Sequence, residues 1–477
     1  MRNRRVAAAA VAGMLAGAAC GAPRAPAPMP ADAPALAGAR VRWAHVVTGP
    51  AYPAVRAVAL SGGDTIAVGS FQREAHVAGH RLRGAPDGED DAFAVRLSPD
   101  GQVRWARAWT GPGVDLARGV AVAPDGAIYV VGAFSRALSL GERTLTAAAG
   151  PAGFLMRIDD DGRPMWAAVV AGDGVAHLVA VAADADGAVA VGDFDAPIAV
   201  STTAAPDASS AESRPIDTAG VQDGVAVAVT PDGHVRWIAT LGGPGPDALR
   251  GVAVAAGDAI AVGTFTGDAE FAGRALRAAG PTADIAIARL AGADGAPRWA
   301  RGFGGAADDV ATAAAALPGG DIAVGGTIGG TALLGGAPVA TAGGADGFVA
   351  RYTAQGKLVW ARAIGGGGED RVAAVAVAGG DILAAGEFEI AIDLPGHALR
   401  AAGLRDGFVA RLSGGDGAPR WVRTVAGPRD DQAAAVAADA SGDAVAVAVS
   451  YGDRATVGDE PLPDADGVAT AVVRIAP

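Results

Sequence analysis

"RLSPDGQVRWARAWTGPGVDLARGVAVAPDGAIYVVGAF", residues 96–134, strings short alternating apolar runs between Gly, Asp and Pro, with a tryptophan at position 105. "YTAQGKLVWARAIGGGGEDRVAAVAVAGGDILAAGEF", residues 352–388, repeats that grammar in other words. The copies are marked by Trp43, Trp105, Trp166, Trp237, Trp299, Trp360 and Trp421, at intervals of 62, 61, 71, 62, 61 and 61, and only Trp109 stands outside the series. A fixed period with an anchor residue means one supersecondary unit copied along the chain.

Within the copy after Trp299, four strands are expected: "TAAAALP" (312–318), "DIAVGGTI" (321–328), "DGFVARYT" (346–353) and "KLVWARAI" (357–364). Alternation at period two between turn residues argues for β-structure, and no helix-length amphipathic stretch interrupts the repeats. A minor hairpin phrase, such as "SLGERTLTAAAG" (139–150), falls between the second and third strands. Four short antiparallel strands in seven copies predict an all-β, seven-bladed β-propeller of four-stranded blades. An open stack would leave two ends needing polar caps. Residues 41–48, "VRWAHVVT", match only a fourth strand, whereas "DGVATAVVRIAP" (466–477) matches only a third. The amino-terminal strand is therefore expected to pair into the last blade and close the ring, removing an exposed sheet edge.

"DGFVARLSGGDGAPRWVRTVAG" (406–427) and "GDILAAGEF" (380–388) resemble the SBBP repeats of bacterial exported proteins. The resemblance covers residues 41–477 and implies a β-propeller at the bacterial surface, with little said about chemistry. "GKLVW" (356–360) and "DGAPRW" also resemble the tryptophan-docking phrases of quinoproteins, an eight-bladed class whose catalytic members need asparagine for calcium; Asn3 is the only asparagine.

Residues 1–19, "MRNRRVAAAAVAGMLAGAA", have Arg2, Arg4 and Arg5 ahead of an apolar run shorter than the roughly 20 residues of a spanning helix. That is the layout of an export signal. The single cysteine, Cys20, follows directly, and the junction resembles a bacterial lipoprotein signal whose cysteine is lipidated and becomes the first mature residue; Gly17 departs from the usual Leu. Ordinary cleavage leaving a free terminal thiol is the alternative. Residues 20–40 are rich in Pro and Ala and read as an extended tether to the body at 41–477. The net charge of −13 becomes −16 once the three arginines are removed, a balance unsuited to nucleic acid. The expected partners are a membrane, through the lipid anchor, and an envelope protein or glycan; the expected address is the outer membrane or cell surface.

Candidate chemistry rests on recurring aspartates. Asp115, Asp247, Asp309, Asp370 and Asp431 precede the innermost strand in five copies, with Pro53 and Gly174 in the others. Asp91, Asp223, Asp284, Asp346, Asp406 and Asp466 open the third strand, with Ala152 as the exception. The loops carrying both sets leave a propeller on one face, so the aspartates are expected on a rim around the channel mouth. There they serve as loop caps or attract a divalent cation such as calcium. Third-strand arginines Arg96, Arg157, Arg289, Arg351 and Arg411 are the candidates to neutralise them.

The tryptophans read as cover for the gaps between blades, with sugar stacking as the alternative. "SPDGQVRW" (98–105) resembles the Asp-box turn of sialidase-type propellers, with its glycine displaced by one residue. Extra residues Thr202–Pro215 form a polar loop, and His76 with His80 is too small a set for a metal centre. The reading is a non-catalytic envelope module for binding or scaffolding. Its competitors are a propeller hydrolase or lyase using rim carboxylates and a structural surface-layer component.

Overall fold

The computed structural model describes residues 39–51, 53–203, 215–464 and 467–476, and these form strands with no helix among them. The expected signal at 1–19, Cys20, nearly all of the tether, Asp466 and most of the loop at 202–215 lie outside the described residues. Blade 1 has the strands Ala54–Ser61, Asp64–Gln72, Asp90–Leu97 and Val103–Trp109, hydrogen-bonded in that order from the axis outward. The same antiparallel order returns in residues 115–172, 176–242, 248–303, 310–364 and 371–426. The second and third strands are buried on both faces, so they read as nearly unbroken runs of Val, Ala and Ile, while the outer strands alternate.

Blade 7 is assembled from both ends of the described chain. Gln432–Ala438, Val445–Tyr451 and Ala469–Ala476 supply three strands, and Arg40–Thr48 supplies the fourth. Its ladder runs from Arg40↔Ala476 to Val47↔Thr470. The ring is closed as expected.

A second interlock was not anticipated. Each blade's excursion between its second and third strands reaches back to the outermost strand of the blade before it. Val77 pairs with Val47, Ser139 with Thr110, Ile198–Thr202 with Ala168–Gly172, Phe271 with Leu241, Leu333 with Gly304 and Val457 with Val425. In the remaining junction the Asp393 N–H donates to the Gly365 carbonyl at 3.2 Å.

The residue six positions after each repeat tryptophan permits this approach: Gly49, Gly111, Gly172, Gly243, Gly305, Gly366 and Gly427. A Cβ on the first six would lie 1.7–2.6 Å from a carbonyl oxygen of the incoming hairpin. Only glycine lets two backbones meet so closely.

The tryptophans tie the blades together at the other end. Trp43, Trp105, Trp166, Trp237, Trp299 and Trp360 each donate Nε1–H to a carbonyl in the turn between the third and fourth strands of the next blade, at 2.7–3.0 Å. A glycine of that same turn, such as Gly162 over Trp105 or Gly233 over Trp166, lies against the ring in the left-handed conformation. This explains the displaced glycine of the turn phrase, and packing rather than sugar stacking accounts for the tryptophans. Trp421 alone has no acceptor for its buried Nε1–H, because no turn joins the third and fourth strands of blade 7.

The last blade also repacks its core. In four blades a second-strand glycine faces a third-strand phenylalanine, as in Gly69↔Phe93 and Gly386↔Phe408, and in blades 3 and 4 it faces Val225 and Ala286; blade 7 places Val449 opposite Ala471. Volume moves from one strand to the other, which conserves packing.

Gly111→Ala is expected to destabilise the protein by about 1–3 kcal/mol, because the new methyl meets the Ala137 carbonyl and the junction must spread. Gly367→Ala, with only the tip of Ile390 nearby at 3.9 Å, should stay within about 0.5 kcal/mol of the parent. Denaturant titration of the two variants checks the contrast.

Candidate functional site

Asp115, Asp247, Asp309, Asp370 and Asp431 do stand at the start of the innermost strands, but they do not line an open rim. Their exposures are 0–2%, and those of Asp91, Asp223, Asp284, Asp346 and Asp406 are 0–2% as well. The loops fold over them because every one of these carboxylates except Asp115 caps a backbone N–H group. Asp309 Oδ1 accepts from Gly329 and Asp370 Oδ1 from Glu389, both at 3.0 Å, and Asp431 Oδ1 accepts from Gly452 at 2.8 Å. Asp91 Oδ2 accepts from Ala85, Asp346 Oδ2 from Ala342 and Asp406 Oδ2 from Ala402, at 2.7–2.8 Å. These are turn caps between a side chain and its own loop.

The structure brings the two sets together in pairs across each junction: Asp91 with Asp115, Asp223 with Asp247, Asp284 with Asp309, Asp346 with Asp370 and Asp406 with Asp431. The register is fixed by the first strand of one blade donating to the third strand of the blade before it. Asp309 N–H bonds the Ala283 carbonyl at 2.7 Å, and Asp247, Asp370 and Asp431 make the same bond at 2.8 Å. Around the place a Gly304 Cβ would occupy, the Asp284 and Asp309 oxygens that lack partners lie 2.1 and 3.0 Å away, so the two carboxyls share one small space. The glycine that admits the hairpin also faces both carboxyls with its N–H at Gly111, Gly243, Gly305 and Gly427.

The register corrects two positions read from the sequence. Ala176, not Gly174, is the blade 3 counterpart of Asp115: it lies opposite Phe194 as Asp115 lies opposite Phe134, and its N–H bonds the Pro151 carbonyl at 2.9 Å. Ala469, opposite Tyr451, takes the place that Asp91 holds opposite Phe71. Asp466 is three residues upstream and does not belong to the series. With these corrections the pairs are all or none. Where the third-strand aspartate is Ala152, its partner is Ala176; where it is Ala469, its partner is Pro53. No junction keeps one carboxyl alone, which identifies the pair as the working unit.

Burial raises all ten carboxyls, and the neighbouring carboxylate adds to this in each pair. Asp115, whose two oxygens have no hydrogen-bond partner, is pushed to about 8; Asp91, Asp247, Asp309, Asp370 and Asp431 reach about 6. Asp223, Asp284, Asp346 and Asp406 are also raised, by burial against the opposing pull of backbone N–H groups. Two carboxyls in one buried space cannot both ionise without a counter-charge. Calcium requires six or more oxygen ligands. The surroundings here supply N–H donors, and no group of three or more His, Cys, Asp or Glu able to hold a metal occurs among the described residues. The pairs suit a retained proton better than calcium.

The third-strand arginines serve another set of acids. Arg96 bonds Asp64, Arg289 bonds Asp258, Arg351 bonds Asp321 and Arg411 bonds Asp381, with Nε–oxygen distances of 2.8–3.1 Å, while Arg157 approaches Asp125 at 3.9 Å. Several also cross to the next blade, as Arg351 does to the Gly414 carbonyl at 2.6 Å. They fasten blades and do not neutralise the paired aspartates. His76 meets Glu74 at 3.3 Å on the surface.

No family model and no curated protein matches the sequence. Among solved structures, the chain is similar to U3-55K, with 8% identity and a TM-score of 0.44 over 92% of this chain and 99% of that one. It is similar to BamB from Moraxella catarrhalis, with 12% identity and a TM-score of 0.36 over 87% and 95%, respectively. It is also similar to the quinohemoprotein alcohol dehydrogenase from Comamonas testosteroni, with 12% identity and a TM-score of 0.36 over 91% and 76%. None of these bears on function, and the blade count rests on this chain's own strand pairing.

The raised carboxyls fix the sign of a pH effect. Above pH 4 the unfolded aspartates lose their protons while the folded pairs keep theirs, so stability falls as pH rises through about 6 to 8. The melting temperature should drop by roughly 5–10 °C between pH 5 and pH 8. Asp284→Ala combined with Asp309→Ala recreates the Ala152–Ala176 junction and should fold and flatten that profile by one pair's share. Thermal unfolding monitored by circular dichroism across this range measures both.

Proposed function

We propose that this chain is an exported, lipid-anchored, non-catalytic module that presents a rigid propeller at the bacterial envelope for binding or scaffolding. The observation that carries the reading is the order of its segments: a basic and apolar leader, Cys20, a Pro/Ala-rich tether and then a ring locked at every junction. Rigidity suits a scaffold, since little order is lost when loops on a fixed frame meet a partner. The rim-carboxylate hydrolase reading loses its premise, because those carboxylates are buried and engaged by their own loops.

The partner-facing surface in this reading is the side on which the second-to-third-strand excursions emerge. Val221, Ile390 and Leu404 are 67%, 59% and 80% exposed there. Ile390 has φ 58°, a conformation its neighbours fill with Gly267, Gly330 or arginine, and a β-branched residue held there is strained. Strain retained at an exposed apolar residue fits a contact made with another molecule, an envelope protein rather than a glycan.

The anchor is tested by expressing the full chain in a bacterial host with labelled fatty acid. The parent should carry label and sediment with membranes, whereas Cys20→Ala should lose the label and appear in the soluble exported fraction. Equal membrane recovery of both proteins would sink the lipoprotein assignment.

A further inference from the structure

The innermost strands of all seven blades carry a one-residue bulge at the same place: the ladder skips at Arg56, Arg118, Val179, Arg250, Thr312, Ala373 and Ala434. A bulge turns its extra residue out of the pairing pattern. All seven of these residues line one cavity of about 210 Å³ on the propeller axis. Three are arginines, gathered in the throat of a protein whose net charge is −13. The other four are uncharged, and Thr312 spends its hydroxyl on the Val372 carbonyl at 2.7 Å.

The arginines are poorly compensated. Asp193 turns Oδ1 toward Arg250 at 3.7 Å, too far for a hydrogen bond, while its Oδ2 accepts from Gln222 at 2.7 Å and meets His177 at 3.6 Å. Arg118 has a buried Nε–H with no hydrogen-bond partner. Burial, followed by the positive charge of Arg56, disfavours its cation; the Asp193 carboxylate opposes this, and Arg250 adds to the repulsion. Solvation by channel water accounts for Arg56 and Arg250, which are exposed, but not for the buried Nε of Arg118. A cluster of like charges with an unused donor is the arrangement that an anion stabilises, and guanidinium forks match the oxygens of phosphate.

We propose that the axial channel is a binding site for a phosphate-class oxyanion, held by Arg118 with Arg56 and Arg250 closing over it. The cavity of about 210 Å³ has room for one such ion and a few waters. A phosphate monoester reaches the site only if its ester arm leaves through the channel mouth. The site is independent of membrane attachment, so it stands or falls apart from the lipoprotein reading.

The test is isothermal titration of the full chain, at low ionic strength and pH 7, with inorganic phosphate and separately with glycerol 1-phosphate. Saturable binding of phosphate is expected, with at least a tenfold loss in Arg118→Gln and no change in Arg163→Gln, an exposed arginine on an outer turn. The exposed pair Arg56→Gln with Arg250→Gln should weaken binding similarly and guards against a folding defect in the Arg118 variant, which circular dichroism would reveal. Binding of phosphate alone identifies a free ion as the occupant; binding of both identifies a headgroup-compatible site. No saturable binding, or equal loss in Arg163→Gln, overturns the proposal.

Discussion

Backbone meets backbone most closely between blades at the glycine six residues beyond each repeat tryptophan, and the clasp of each hairpin depends on that approach. A side chain there would hold the incoming hairpin away from the outer strand it clasps. The tryptophan supplies the complementary contact on the opposite side of the blade, with its ring under a turn glycine and its Nε1–H on a turn carbonyl. Six of the seven junctions are therefore pinned at two separated points, which fixes the tilt between neighbouring sheets as well as their distance; the junction at Trp421 keeps only the clasp. A chain with 5% aromatic residues and a core made largely of Ala and Val obtains its rigidity from repeated backbone contacts rather than from bulky packing.

The paired carboxyls belong to the same junctions. The clasp buries the loop ends, the loop ends leave N–H groups that need acceptors, and the aspartate carboxyls supply them. Supplying one aspartate from each side of the junction brings the two carboxyls together. That cost is avoided at the two junctions that use Ala152 with Ala176 and Ala469 with Pro53, where both members are apolar. Acid pairs and apolar pairs are alternative solutions to one packing problem, which explains why mixed junctions do not occur.

Much of the architecture was legible from the spacing of Trp43 to Trp421 and from the unmatched segment 41–48, because a copied unit repeats its anchor and an incomplete unit exposes its missing piece. The aspartates were legible as positions but not as buried pairs. Burial depends on loops closing from the neighbouring blade, and a contact between blades leaves no local pattern. The glycines at Trp plus six stand in all seven copies, but in sequence they look like turn glycines, because the hairpin each admits comes from the next blade. Gly174 and Asp466 were misaligned by two and three residues, since small-residue turns around them offer no fixed count; only the strand register placed Ala176 and Ala469. The channel arginines leave no repeat signal, because they occupy equivalent positions in only three of the seven copies, Arg56, Arg118 and Arg250.

Blade 7 differs from the rest in how it can form. Six blades are built from segments contiguous in the chain, whereas the ladder between Arg40–Thr48 and Ala469–Ala476 joins segments more than four hundred residues apart, as do the bonds from Arg474 to Thr65 and Gly63. Loop closure over such a separation is entropically late and slow. The nascent molecule is then an arc with two sticky ends, vulnerable to pairing with a second arc until its own ends meet. Sealing that seam closes the longest loop in the molecule, and the Arg474 bonds to Thr65 and Gly63 span it.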